Sequence, residues 1–252
     1  MLSRQEYKFL VNNDLLNDLR NDLKPYVQID NFADMMPKKE YSVRSIYFDT
    51  SGLDCFSEKI EGIKVRKKFR LRGYNENDEG NVLFWEIKRK YNSYIEKNRA
   101  PFHYKNLEAV IGHKKLNKSI LSSENGSEIK DAKRFLYNYY RKGLRPVALV
   151  VYEREAFISK FNSFLRITFD KNLRSILLPN IKDIYSKNQL KYALPGYFIL
   201  EIKFNAGFPS WLTRIVQKYE LNRRALSKYT MSLDSHKAPT HFSQIMFKEF
   251  HH

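Results

Sequence analysis

The sequence predicts an α+β protein built on an antiparallel sheet or barrel of about eight strands. Three observations lead there. Stretches such as KFRLRGY and VLFWEIKRK alternate charged and apolar residues with a period of two, the period at which strand side chains share a face. Polar turns or helical stretches separate them, without a regular alternation of strand and helix. The 17 Tyr and 18 Phe suit half-buried pleated surfaces.

Taken in order, Gln5 to Val11 alternates as a strand, with Glu6 and Lys8 on one face and Tyr7 and Phe9 on the other. Asn13 or Asp14 can cap a helix to about Lys24, because Leu15, Leu16, Leu19 and Leu23 repeat at helical spacing and Pro25 follows. YSVRSIYFD, Tyr41 to Asp49, reads as a strand broken by Thr50-Ser51-Gly52.

The stretch from Lys64 to Lys90 organises the chain. It carries Arg70 and Arg72, then Glu86, Lys88 and Lys90, each set on one parity and backed by Phe69 and Leu71, or by Trp85 and Ile87. NENDEGN, Asn75 to Asn81, is a hairpin-type turn between its two strands. YIEKNRAPF, Tyr94 to Phe102, gives a further strand, with Glu96 and Asn98 opposed in parity to Lys97 and Arg99. From about Asn106 to Lys142 the spacing becomes helical, divided by SSENGS at 122 to 127 and stopped at Gly143.

Val147 to Ile158 and Phe164 to Asp170 resume the strands, placing Tyr152 with Arg154, and Arg166 with Thr168 and Asp170. YFILEIKF, Tyr197 to Phe204, sets Glu201 and Lys203 against Leu200, Ile202 and Phe204. Pro209-Ser210 starts a helix from Trp211 to about Glu220, and Arg223 to Leu233 closes the ordered chain with Ser227 and Lys228. The expectation is one domain over residues 1–252, with a helical insertion at about 104–143 and a C-terminal helical segment at about 210–250.

Composition sets further bounds. A formal charge of +17 makes a field that draws in polyanions: nucleic acid, phosphate chains or anionic membrane. The single cysteine, Cys55, excludes an internal disulfide and any cysteine-cluster metal site, and the six His form no ligand pattern. The N-terminus lacks the apolar region of a signal peptide, and no apolar run is long enough to span a bilayer. A cytoplasmic chain without a membrane segment is expected. Basic residues follow strand parity through many segments instead of gathering on one helix, which argues against a specific nucleic-acid reader.

A half-buried strand normally shows one charged, solvated face, so each strand alone has a bland explanation. Jointly, a closed barrel would bring the rows onto a shared lumen wall. Such a lumen would need a polyanion and water, because clustered like charges are costly in a dry core. Its few carboxylates would then be candidates for Mg²⁺ or Mn²⁺, which take oxygen ligands from one or two carboxylates plus substrate phosphates.

The succession RQEYKFLV, SIYFDT, KFRLRGY, FWEIKRK, EKNRAPF, VVYEREAF, LRITFD, FILEIKF and ALSKYTMSL resembles the VTC (vacuolar transporter chaperone) domain. That domain is the polyphosphate-polymerase branch of the triphosphate tunnel metalloenzymes. The resemblance runs in order from about Arg4 to Leu233. It implies an eight-stranded antiparallel tunnel with a basic lumen flanked by helices, and a metal-dependent transfer of the γ-phosphoryl group of ATP to growing polyphosphate. Arg70, Arg72, Lys88, Arg154 and Arg166 would act on the phosphates being transferred, and Lys8, Lys97, Arg99, Ser227 and Lys228 would hold phosphate. Glu201 falls at the family's metal-binding carboxylate, with Glu6 and Glu86 as weaker metal candidates. The implied cofactor is Mn²⁺ or Mg²⁺; the implied partners are ATP or another triphosphate, and polyphosphate or pyrophosphate.

Hydrolytic tunnel enzymes of the CYTH type open with ExExK, whereas this chain reads RxExK from Arg4, which fits the polymerase branch better. Two alternatives remain: a triphosphatase using the same site, and a binding module for polyphosphate or RNA without turnover.

Overall fold

A computed structural model describes residues 4–76, 81–91, 94–112, 126–161, 164–205 and 207–237. Along the chain come β1 (Gln5–Asn12), α1 (Leu16–Leu23), β2 (Val27–Ile29), α2 (Asn31–Asp34), β3 (Tyr41–Asp49), α3 (Asp54–Ile60), β4 (Val65–Tyr74), β5 (Val82–Tyr91) and β6 (Tyr94–His103). Then follow α4 (Leu107–Gly112), α5 (Gly126–Arg141), β7 (Arg145–Ser159), β8 (Arg166–Leu177), β9 (Lys191–Tyr192), β10 (Tyr197–Phe204), α6 (Ser210–Lys218) and α7 (Lys228–Ser235).

The strands expected from alternation are present, in antiparallel ladders, and the protein is α+β. Two differences stand out. The strand order is β1-β10-β8-β7-β3-β4-β5-β6, with β2 and β9 as short additions. Among the described residues no ladder joins β1 to β6, so the expected closed eight-stranded barrel is not formed. A closed barrel needs a last pairing between its end strands, and strand periodicity carries no information about that pairing. The sequence reading also passed over β2, β9, α2 and α3, which are too short for periodicity to register.

Two compact units make up the chain. The first comprises residues 1–42, 152–174 and 194–228, and the second 43–151, 175–193 and 229–252. β7 contributes to both, passing from the second unit to the first after Val151.

In the first unit, β1 pairs with β10 and β10 with β8. The apolar parity of these strands, Phe9, Val11, Ile167, Phe169, Phe198, Leu200 and Ile202, is buried against Leu19 and Leu23 of α1 and Leu212 and Ile215 of α6. The predicted first helix begins later than its leucines suggested. Asn12 caps a short 3-10 turn by accepting from the Asp14 amide, and the α-helix proper starts at Leu16.

In the second unit, β3, β4, β5 and β6 pair successively. Phe69, Leu71, Trp85, Ile87, Ala100 and Phe102 form the buried side and pack with Ala132 and Phe135 of α5. Helix α5 stops where Gly143, at φ +57°, takes a left-handed conformation that favours glycine. Gly73 answers a different need: a Cβ there would lie 2.8 Å from the Tyr185 hydroxyl, so only glycine lets β4 pass. Part of the NENDEGN turn (77–80), the middle of the helical insertion (113–125) and the end of the C-terminal segment (238–250) lie outside the described residues.

Burying one parity of every strand forces the other parity, with its charges, onto the opposite face. That face carries the chemistry in each unit.

Candidate functional site

In the second unit the charged face is arranged in cross-strand rows. Arg70 of β4 lies opposite Glu86 of β5, which lies opposite Arg99 of β6. The next row is Lys68, Lys88 and Lys97. Glu86 is 1% exposed and is the hub. Arg70 donates to its Oε2 at 2.5 Å, Arg72 Nε stands 3.9 Å from the same oxygen, and Lys97 Nζ and Arg99 Nε lie 3.0 and 3.3 Å from Oε1. Burial opposes ionisation of Glu86, but Arg70, Arg72 and Lys97 hold its carboxyl well below the usual carboxylate range. Burial pulls the Lys97 ammonium below its ordinary value, although Glu86 opposes this.

The arginines are oriented by neutral partners. Arg72 Nε donates to Ser45 Oγ at 3.3 Å, and Arg70 donates to the Tyr47 hydroxyl at 3.4 Å. Tyr47 stacks on Tyr229, whose hydroxyl donates at 2.7 Å to the fully buried Asp49. Asp49 in turn accepts the Thr50, Cys55 and Phe56 amides at the start of α3. Arg99 lies over the Phe84 ring at 3.5 Å and donates to the Tyr74 hydroxyl at 3.3 Å. Each guanidinium is thereby fixed in place.

In the first unit, Lys8 of β1 lies opposite Glu201 of β10, and Glu201 opposite Thr168 of β8. Glu6 and Lys203 face each other, with Arg166 next across the ladder. Lys8 Nζ sits 2.8 Å from Glu6 and 3.7 Å from Glu201 Oε2, while Lys203 pairs with Glu201 Oε1. Glu201 is 5% exposed. Its burial resists charge, yet Lys8, Lys203, Lys228 and Arg154 hold it well below the ordinary value. Lys8 is burdened by the same burial but is raised by Glu201 and Glu6.

Beside this group, Arg154 grips Asp170 with both prongs, Nε to Oδ1 at 2.6 Å and a terminal nitrogen to Oδ2 at 2.7 Å. Lys228 adds a contact of 2.6 Å to Oδ2 and lies over the Tyr152 ring at 4.7 Å. Asp170 is buried and nonetheless held low by Arg154 and Lys228. Arg166 reaches away from this pair, to Asp30 at 3.4 Å and the Tyr41 hydroxyl at 3.3 Å. Ser227 is buried immediately before Lys228.

The expected residues thus fall into two sets. Glu6, Lys8, Arg154, Arg166, Glu201, Ser227 and Lys228 belong to the first unit, and Arg70, Arg72, Glu86, Lys88, Lys97 and Arg99 to the second. Sequence reasoning assigned no role to Lys203, Thr168 or Asp170, although each shares strand parity with an assigned neighbour. Lys68, to which sequence reasoning gave no role, stands in the same row as Lys88 and Lys97.

A divalent cation with a preference for oxygen finds a partial set of donors in the first unit. Glu201 supplies a carboxylate, and across the ladder Thr168 presents an Oγ1 that is buried without a hydrogen-bond partner among the described residues. Asp170 follows two residues along the same face. No group of three His, Cys, Asp or Glu side chains gathers at metal-holding distance among the described residues. The donors therefore fit a cation that brings most of its shell with it, as Mg²⁺ and Mn²⁺ do when phosphate oxygens complete their coordination.

The fold and these rows define an α+β protein in which each unit carries basic residues around buried carboxylates on the charged side of its strands. The family model described as the VTC domain matches residues 3–237, and the chain belongs to that family. One relative is the "Vacuolar transporter chaperone complex subunit 4" of Schizosaccharomyces pombe, 25% identical over 193 residues, which cover 69% of this chain and 26% of that protein. The chain thus spans about a quarter of that relative's length. Among solved structures, PH1819 protein from Pyrococcus horikoshii OT3 aligns with a TM-score of 0.46 and 13% identity over 91% of this chain and 99% of the other. A Mimivirus capping enzyme triphosphatase aligns at 0.30 and 9% identity, over 85% and 88% of the two chains. Among the described residues no helix is long and apolar enough to cross a membrane.

Proposed function

We propose that this chain is a metal-dependent polyphosphate polymerase that transfers the γ-phosphoryl group of ATP to a growing phosphate chain bound by the basic residues of its charged strand faces. The observation that carries the reading is the excess of cations over carboxylates on such a face. In the second unit Arg70, Arg72, Lys97 and Arg99 converge on one carboxylate, Glu86, and Lys68 and Lys88 stand with Lys97 in the next cross-strand row. Membership of the VTC domain family and the likeness to a vacuolar transporter chaperone subunit support the choice of phosphate chains as the polyanion.

In this reading the pre-oriented guanidinium groups of Arg70 and Arg72 bind phosphate oxygens and offset the charge on the transferring group, and Arg154, fixed on Asp170, adds positive charge. Lys8, Lys88, Lys97, Arg99, Arg166, Ser227 and Lys228 align the chain. Glu201, with the Thr168 hydroxyl opposite it, would hold a divalent cation, Mn²⁺ or Mg²⁺, which would supply Lewis-acid polarisation of the phosphate. The terminal oxygen of the acceptor attacks the γ-phosphorus in line, the bond to the β,γ-bridging oxygen breaks, and ADP leaves. No side-chain nucleophile enters the scheme. Cys55 is buried, and burial with Asp49 nearby pushes its thiol far above its ordinary value, so it carries no thiolate at neutral pH.

The test is incubation with ATP and Mn²⁺, with products sized on a gel. Chains longer than triphosphate are expected, with Arg70→Ala slower by a factor on the order of 10². Orthophosphate as the only product makes the protein a triphosphatase. Salt-dependent polyphosphate binding without turnover makes it a binding module.

A further inference from the structure

On the proposed reading, Glu201 receives a divalent cation, yet both of its oxygens are already engaged by ammonium groups. Lys203 pairs with Oε1, and Lys8 stands 3.7 Å from Oε2 while held by Glu6 at 2.8 Å. The carboxylate is 5% exposed, so these ammonium groups stand where a cation would have to arrive. Arg154 and Lys228, clamped on Asp170, place further positive charge on the same face. A bare dication would therefore have to displace Lys203 and enter a field of its own sign. It would gain in return only a sparse donor set: the Glu201 carboxylate and the Thr168 hydroxyl opposite it, with Asp170 committed to Arg154 and Lys228.

We infer that Lys203 is a stand-in cation for Glu201, and that the divalent metal binds this carboxylate only together with a phosphate chain. Phosphate oxygens solve both difficulties. They give Lys203 and Lys8 a new anionic partner, which releases Glu201, and they complete the shell that the protein leaves short. Lysine suits the role because its ammonium is a point charge on a flexible stem and can change partner, whereas the guanidinium of Arg154 is fixed on Asp170 by a two-pronged geometry. The Thr168 hydroxyl, buried and unpartnered beside Glu201, gains a partner when the complex forms. Lys203 is thereby a positioning residue that couples metal to substrate, so that the site stays free of metal until substrate arrives.

The experiment needs no turnover and no phosphate. Mn²⁺ is titrated into the phosphate-free protein and the free hexaaqua ion is followed by electron paramagnetic resonance. The wild type is expected to leave Mn²⁺ free at concentrations where Lys203→Met takes it up, a gain of about tenfold or more in affinity, since each tenfold step corresponds to 1.4 kcal/mol. Lys203→Met combined with Glu201→Gln is expected to lose the gain, and Lys8→Met supplies a second route to it if Lys203→Met fails to fold. Wild-type protein that binds phosphate-free Mn²⁺ as tightly as the lysine variants overturns the inference, as does a gain that survives Glu201→Gln. Failure of the wild type to bind tripolyphosphate, measured separately by calorimetry, would instead remove the phosphate-chain reading.

Discussion

The two charged faces bury their carboxylates at similar depth but hold them with different cations. In the second unit Glu86 is gripped mainly by arginines, and these arginines are themselves tied to Tyr47, Ser45 and Tyr74. In the first unit Glu201 is held by Lys203 and Lys8, while the arginine there, Arg154, is spent on Asp170. A planar guanidinium binds a carboxylate in one geometry and stays, whereas an ammonium on a long stem exchanges partners at little cost. On the proposed reading, the Arg70–Glu86–Arg99 row would be held fixed, and the Lys8–Glu201–Lys203 group would be the one whose cations change partner.

The largest expected effect tests that difference on stability. Glu86→Gln strands Arg70, Arg72, Lys97 and Arg99 around a neutral amide, and should cost about 3–5 kcal/mol in urea unfolding. Glu201→Gln should cost less, about 1–2 kcal/mol, because Lys8 and Lys203 can turn toward water. Equal losses would break the comparison.

Acid provides an intermediate effect. Glu86, Glu201 and Asp170 all have folded-state values below their ordinary ones. Such groups contribute stability that is fully present above the unfolded values, about 4, and is lost as pH falls through the folded values. Their contribution to stability should therefore be constant from about pH 5 to 8 and fall only below about pH 4. His236, held below its ordinary value by burial, adds a separate loss as pH falls through about 6.5. A loss below about pH 4 as large in Glu86→Gln as in the wild type would contradict the assignment of Glu86 as ionised and paired.

The smallest effect concerns Lys68, which shares a row with Lys88 and Lys97. Lys68→Ala should weaken tripolyphosphate binding by roughly threefold at low salt, and less at high salt, as expected for one partly exposed point charge. No change at low salt would leave Lys68 outside the phosphate-binding set.

Most strands were legible because alternation is a local property: the run from Phe69 to Arg72 shows two faces before any partner is known. β3 and β10 begin and end where the residue pattern placed them, at Tyr41–Asp49 and Tyr197–Phe204. The short elements β2, α2 and α3 were not legible, since three to seven residues give too little periodicity. The charged rows were visible as rows, but parity does not say which row stands beside which. Lys68 was undervalued for that reason.

The sequence by itself determined the class of fold and the charged face of its strands, because these follow from parity and charge. Only the tertiary structure decided that Glu86 is enclosed by arginines, that Asp170 occupies Arg154, and that Lys203 covers Glu201. It also left the strand order open between β1 and β6 among the described residues. The physical reason is the same in each case: register and pairing are set between segments distant in the chain, where the repeat within any one strand is silent.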